Sequence, residues 1–224
     1  MVPIVEPAID VTTAGGVTLV TMRSGENTFG LPFVTVLERT LRTAADEGRP
    51  LVLTGSGKFF SNGLDLEWLA GAGPAGGRDT MAALHRVLAL LLAFPGATVA
   101  AVNGHAFGAG AILAAAADMR IMRRDRGYFC FPEVDLGLAM SEQFDAVLQA
   151  KYPRSALLTG LLTGQRYGAD EARALGFVDE TASEDQLVAG ALDRARALAG
   201  KDGATVGAIK RSLYREPLAT LGKD

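Results

Sequence analysis

The order of apolar and polar positions divides the chain into short, readable segments. Residues 8–13 (AIDVTT) and 17–22 (VTLVTM) are β-prone runs on either side of Gly15-Gly16, and the pattern predicts a hairpin. LPFVTVLERTLRTAADEG, from Leu31 to Gly48, spaces its apolar residues as a helix does, with Pro32 at the start and glycine at the end. PLVLTGSG, residues 50–57, is a short apolar run closed by glycines and predicts a buried strand. A second helix is expected from about Asp79 to Ala93. The longest apolar stretch, VLALLLAFPGATVAAV (87–102), is cut by Pro95-Gly96, so it predicts helix, turn and buried strand instead of a membrane span. AGAILAAAAD (109–118) predicts a helix, MRIMRR (119–124) a strand and FCF (129–131) a shorter one.

The last third changes character. Ser141, Arg154, Asp170 and Ser183 each open a helical stretch, and SEDQ (183–186) has the form of a capping box. Strands early and helices late predict an α/β core over residues 1–145, followed by a helical region over 146–224. No internal sequence repeat is evident.

Composition narrows the function classes. The chain has 224 residues, 49% hydrophobic and 21% charged, the balance of a soluble globular protein able to bury a full core. A net charge of −3 offers no basic footprint, so neither nucleic acid nor a membrane is expected as a partner. Cys130 is the only cysteine, which rules out an intrachain disulfide framework and a cysteine-rich metal site. The N-terminal MVPIVEPAID lacks the basic start and apolar run of a signal peptide. A cytoplasmic location is expected.

Two glycine patterns are misleading. Gly71-Ala-Gly73-Pro-Ala-Gly76 matches G-x-G-x-x-G, but it follows the helical DLEWLA, not a strand, and contains Pro74; it reads as a flexible loop. GSGK (55–58) lacks the first glycine of a phosphate-binding loop, since Val52 stands there. More specific are GKFFSNGLDLEWL (57–69) and AVNGHAFGAGAILAAAADMRIM (101–122). Each sets a glycine turn between a strand end and a helix start. Gly108-Ala109-Gly110 opens an alanine-rich helix whose unpaired amides and dipole suit an oxyanion. RRDRGYFCFPEVDLGL (123–138) sets Glu133 among apolar residues, a costly place for a carboxylate unless it is paired, neutral or used.

These segments resemble the crotonase, or enoyl-CoA hydratase/isomerase, superfamily. FFSNGLD (59–65) is similar to its first oxyanion-hole segment and VNGHAFGAGAIL (102–113) to its second. PEVDLGL (132–138) is similar to its catalytic-glutamate segment and LLTGQRYGADEARALGFVDE (161–180) to its later signature. The resemblance runs from about residue 8 to 215. GKFFSNGLDLEW and MRRDRGYFCFPEVDLGL look closest to the plant-type Δ3,Δ2-enoyl-CoA isomerases.

The resemblance implies a crotonase (ClpP-like) α/β fold of repeated ββα units with a C-terminal helical trimerisation region, assembled as a homotrimer or a dimer of trimers. It implies an acyl-CoA thioester substrate and no metal, flavin or nicotinamide cofactor, coenzyme A being part of the substrate. The oxyanion donors fall on the Leu64 and Ala109 amides. The family's hydratases use two glutamates; one falls on Ile112 and is absent, and the other falls on Glu133. One glutamate beside an isoleucine holds a water poorly, whereas a double-bond shift needs a single proton carrier, and an apolar wall raises that carboxyl's pKa towards its working range. The aspartate pair of the dienoyl-CoA isomerases falls on Ile112 and Ser141, with Glu142 adjacent, and the nucleophile of the Clp-type proteases falls on Gly108. Ser61, Asn62, Gly63, Asp65, Trp68, Gly108, Ile112 and Phe131 are expected around the substrate, with Trp68 walling an acyl tunnel and Asp65 also capping a helix. A basic residue of the last helices, Lys210 or Arg211, is a candidate for a phosphate of coenzyme A. His85 and His105 read as packed residues, and the 123–126 cluster reads as a solvated charge run. Asp135 has no assigned task.

Overall fold

The computed structural model describes residues 9–223; MVPIVEPA, the start of the stretch read above for a leader, and Asp224 lie outside the described residues. The hairpin forms as expected: β1 (Ile9–Ala14) runs antiparallel to β2 (Val17–Met22). After α1 (Leu31–Asp46) the chain alternates between two sheets. β3 (Leu51–Gly55), β5 (Thr98–Val102) and β7 (Met119–Arg123) extend the large sheet in parallel, each in turn beside the last. β4 (Phe59–Ser61), β6 (His105–Phe107) and β8 (Phe129–Cys130) form a second, three-stranded parallel sheet. α2 (Leu66–Leu92) follows β4, and α3 (Ala109–Ala116) follows β6. The ββα unit therefore repeats in space although no repeat shows in the sequence.

The centre of the large sheet is buried on both faces, which is why β3 and β5 read as continuous apolar runs. Leu51, Leu53, Ala100 and Val102 face the core shared with α1, α2 and α3. Val52, Val99, Ala101 and Ile121 face the other way, onto Leu187, Ala191 and Ala195 of α7 (Glu184–Arg196). Strand β9 (Glu180–Ala182) pairs in parallel with β7 and completes the sheet order β1-β2-β3-β5-β7-β9. The chain after residue 145 thus contributes a strand and a covering helix to the main sheet. It also supplies most of α4 (Glu142–Lys151), and then α5 (Arg154–Thr163), α6 (Ala169–Ala174), α8 (Gly203–Leu213) and α9 (Arg215–Leu221).

Three local expectations are corrected. The stretch from Gly71 to Gly76 is helical, not a loop; α2 breaks only at Gly73, and Pro74 starts the second helical segment, where its missing amide is no loss. Ser183 does not form a capping box: its hydroxyl donates to the Asp185 carboxylate, while the Gln186 amide bonds the Ser183 carbonyl. The 123–126 cluster is not simply solvated. Arg123 is buried and forked onto Asp125 and Glu184, tying the end of β7 to the start of α7.

Candidate active site

The first oxyanion segment crosses from β4 to α2. The Phe29 amide donates to the Gly63 carbonyl at 2.8 Å, and the Asp65 amide donates to the Phe29 carbonyl at 3.3 Å. In such a parallel bridge the residue between, Leu64, aims its own N–H away from Phe29. That side is a cavity. Ser61 is fully buried and braces the turn: its hydroxyl donates to the Asn27 carbonyl at 2.7 Å and accepts from the Gly63 amide at 3.2 Å. Asp65 caps α2, accepting from the Trp68 amide at 2.9 Å and from the Thr28 hydroxyl at 3.2 Å.

The second segment lies against the first. A Cβ on Gly63 (φ 83) would come within 2.7 Å of the Phe107 carbonyl oxygen and 3.3 Å of the Ala109 nitrogen. Only glycine allows so close an approach in that backbone conformation. Gly108 (φ 51, ψ −122) turns the chain from β6 into α3. Its amide is held by the Cys130 carbonyl at 3.0 Å, which leaves Ala109 as the first helical residue, with an orphan amide at the positive end of the helix dipole.

Glu133 stands opposite. It lies in a 3-10 turn, Pro132–Val134, directly after β8. Its Oε1 sits 3.2 Å from where a Cβ on Gly108 would be, one residue from the Ala109 amide. Its Oε2 is buried with no hydrogen-bond partner. Burial raises the Glu133 pKa above the usual carboxylate range, opposed only in part by a bond from its own amide.

Leu64, Ala109 and Glu133 open onto one cavity of about 230 Å³, with Asn62, Gly63 and Gly108 at the same end. The rest of its wall is apolar apart from Ser141, and includes Leu66, Met81, Leu136, Leu138, Met140 and Phe144. Among the described residues lining it, Glu133 is the only carboxylate. A larger groove of about 380 Å³ between α4 and α5 carries neither the paired amides nor Glu133, so the chemistry points to the smaller space.

Other expected residues lie elsewhere. Ile112 and Phe131 are fully buried in the core, one on the first turn of α3 and the other edge-on to Phe177 at 5.5 Å. Trp68 packs over Gly30 and Gly76 and does not line the cavity. Ser141 does line it, and its hydroxyl caps α4 by accepting from the Phe144 amide at 3.2 Å; Glu142 points away to Lys223. Asp135 lies against Gly164 at the end of α5. His105 sits among Phe59, Phe107 and Tyr128, its pKa lowered by burial and then by Arg166. His85 packs edge-on to Phe144 at 5.8 Å. Lys210 is not placed to meet a phosphate: it is buried, donates to the Gly96 carbonyl and pairs with Asp118.

Asn27 escaped the sequence reading. It is fully buried with φ 51, and its amide nitrogen donates to the carbonyls of Met22, Phe59 and Phe60 while its Oδ1 accepts from the Ser24 amide. It fastens the β2 end to the first oxyanion segment. The turn-rich GENTFG was the available signal. Asn27→Ala is expected to destabilise the fold by about 2–4 kcal/mol, from the lost bonds and the strained backbone left behind. Thermal unfolding should show the midpoint falling by roughly 5–15 °C; an unchanged midpoint would refute the bracing role.

Comparison with known proteins adds an independent line. A family model described as enoyl-CoA hydratase/isomerase matches residues 12–221. The chain is 39% identical over 193 residues to enoyl-CoA delta isomerase 2, peroxisomal, of Arabidopsis thaliana, covering 82% of this chain and 80% of the relative. It is 34% identical over 168 residues to carnitinyl-CoA dehydratase of Escherichia coli strain K12, covering 75% and 63%. Among solved structures, an apo enoyl-CoA isomerase of Mycobacterium tuberculosis superposes with a TM-score of 0.86 at 25% identity, covering 96% of this chain and 94% of that one.

Proposed function

The chain belongs to the enoyl-CoA hydratase/isomerase family as an isomerase-like enzyme, and from that premise we propose that it converts 3-enoyl-CoA to trans-2-enoyl-CoA with Glu133 as its one proton carrier. The observation that carries this reading is the solitary half-buried carboxylate beside the start of α3 in a mostly apolar cavity. The thioester oxygen rests on the Leu64 and Ala109 amides. Glu133 removes a proton from C2, the electron pair spreads through a dienolate onto that oxygen, and the protonated Glu133 returns the proton at C4. Each amide is worth about 2.7–4 kcal/mol of barrier where charge develops. The sequence of steps draws on no metal, flavin or nicotinamide.

Hydration would need a water held between two carboxylates, and the facing helix offers Ile112 in the core instead. Incubation with 3-hexenoyl-CoA and crotonyl-CoA separates the possibilities. Conjugation of the first without water addition to the second is expected. Faster hydration of crotonyl-CoA, or release of free coenzyme A, would replace the isomerase by a hydratase or thioester hydrolase, and no turnover of either would leave an acyl-CoA-binding subunit.

The same reading includes a homotrimer or dimer of trimers, supported by exposed leucines on α5 (Leu158, Leu162) and by Ile209 and Leu213 on α8. A monomeric mass in solution would count against it. A cytoplasmic location remains part of the proposal; among the described residues no helix is long and apolar enough to cross a membrane.

A further inference from the structure

The far end of α3 carries a cluster that the proton shuttle does not use. All eight residues of α3 are buried, so its last carbonyls need donors from within the protein. They find cations. Arg120 Nη1 donates to the carbonyls of Ala115 and Ala117 at 3.3 and 3.0 Å, and its guanidinium is held by Asp179 at 2.7 Å. Lys151, the last residue of α4, donates to the Ala117 carbonyl at 2.8 Å and to the Tyr214 hydroxyl at 3.1 Å. Asp118, Arg120 and Asp179, with Lys210 and Tyr214 of the C-terminal helices, are the titratable groups that face it. Positive charge at a helix C-terminus complements the dipole. Here the opposite end of that dipole is the Ala109 amide, about 12 Å away for eight residues.

We propose that Lys151 is a positioning residue: its ammonium anchors the C-terminal end of α3 and adds positive charge along the axis that ends at the oxyanion donor. α4 then links the two halves of the site, because Phe144 of the same helix walls the cavity. The inference rests on the isomerase reading.

The charge is titratable. Burial first, and Arg120 next, lower the Lys151 pKa from 10.5 to about 8. Folded Lys151 therefore binds fewer protons than the unfolded chain between about 8 and 10.5, and its contribution to stability rises with pH across that window. A fall in turnover over the same window cannot be Lys151-driven unfolding.

The test is kcat and KM on 3-hexenoyl-CoA from pH 6.5 to 9.5 for wild type, Lys151→Met and Lys151→Arg, with thermal midpoints alongside. Wild-type kcat is expected to fall about three- to tenfold through pH 8, the scale of a unit charge acting over that distance through protein. Lys151→Met should sit near the lower plateau at every pH with KM within about twofold, and Lys151→Arg should hold the upper plateau throughout. An alkaline limb that persists in either variant, or Lys151→Met turning over at the wild-type rate at pH 6.5, overturns the inference while leaving the isomerase intact. If Lys151→Met does not fold, Lys151→Arg decides alone. A wild type without isomerase activity overturns the function and this inference with it.

Discussion

Glu133→Gln is expected to lower kcat on 3-hexenoyl-CoA by about 10²–10⁴-fold, the usual worth of a positioned general acid–base, while affinity for the coenzyme A ester changes little. Glutamine keeps the shape of the side chain and its neighbours, Gly108 and Pro132, but cannot carry a proton. No second described carboxylate lines the cavity to take over. Steady-state kinetics with a separate binding measurement checks it; residual turnover within tenfold of wild type would remove Glu133 from the mechanism.

The same residue predicts two pH effects of definite sign. The proposed reaction needs the carboxylate form, so kcat/KM of wild type should fall as pH drops through the raised Glu133 pKa, at a higher pH than an ordinary value of 4.5 would give. Stability moves oppositely. Folded Glu133 binds a proton more tightly than the unfolded chain, so its contribution is fully present below 4.5 and is lost as pH rises through the raised value. Glu133→Gln removes that loss, and its thermal midpoint at neutral pH should lie above wild type, with the two converging in acid. On the proposed mechanism, a half-buried carboxylate kept for catalysis at some expense of stability accounts for its placement after an aromatic run.

Leu64, Ala109 and Glu133 were singled out by the family resemblance of the segments that hold them, and the fold brings the three to one cavity. A glycine turn between a strand end and a helix start presents amides wherever it folds, and a proline-glutamate step after FCF has few places to go. The apolar wall of the cavity was not legible. Met81, Leu136, Leu138 and Phe144 come from two helices and a loop, and their convergence follows from long-range packing that no period records. Trp68 illustrates the limit: its place beside the motif suggested a tunnel wall, yet Gly30 and Gly76 leave room for the ring to pack outside the cavity. The second sheet was missed in part because strands of two or three residues are too short to show alternation. α7 was legible as a helix, but not that it covers the back of the large sheet. Lys210 was a candidate for a coenzyme A phosphate, yet it is buried because Asp118 and the Gly96 carbonyl offer it partners that only the fold assembles.

Ala109→Pro tests the oxyanion hole where a side-chain change cannot, because the donor is main chain. Ala109 is the first helical residue of α3, the one helical position where proline keeps the backbone geometry and forfeits no intrahelical bond. The substitution deletes the N–H that the proposed mechanism assigns to the thioester oxygen and leaves the helix in place. A single donor of this kind is worth about 2.7–4 kcal/mol, so kcat should fall by roughly 10²–10³-fold. The loss should appear in kcat and kcat/KM together, since the bond strengthens as the dienolate forms and contributes less to the ground state. Helix content by circular dichroism should match wild type, and Ala109→Gly, which retains the amide, should keep turnover within about fivefold of wild type, the cost of a more flexible helix start. If proline and glycine variants turn over alike, the charge of the enolised thioester is held somewhere other than the start of α3. The placing of this amide and Glu133 on one mostly apolar cavity of about 230 Å³ would then have no catalytic meaning.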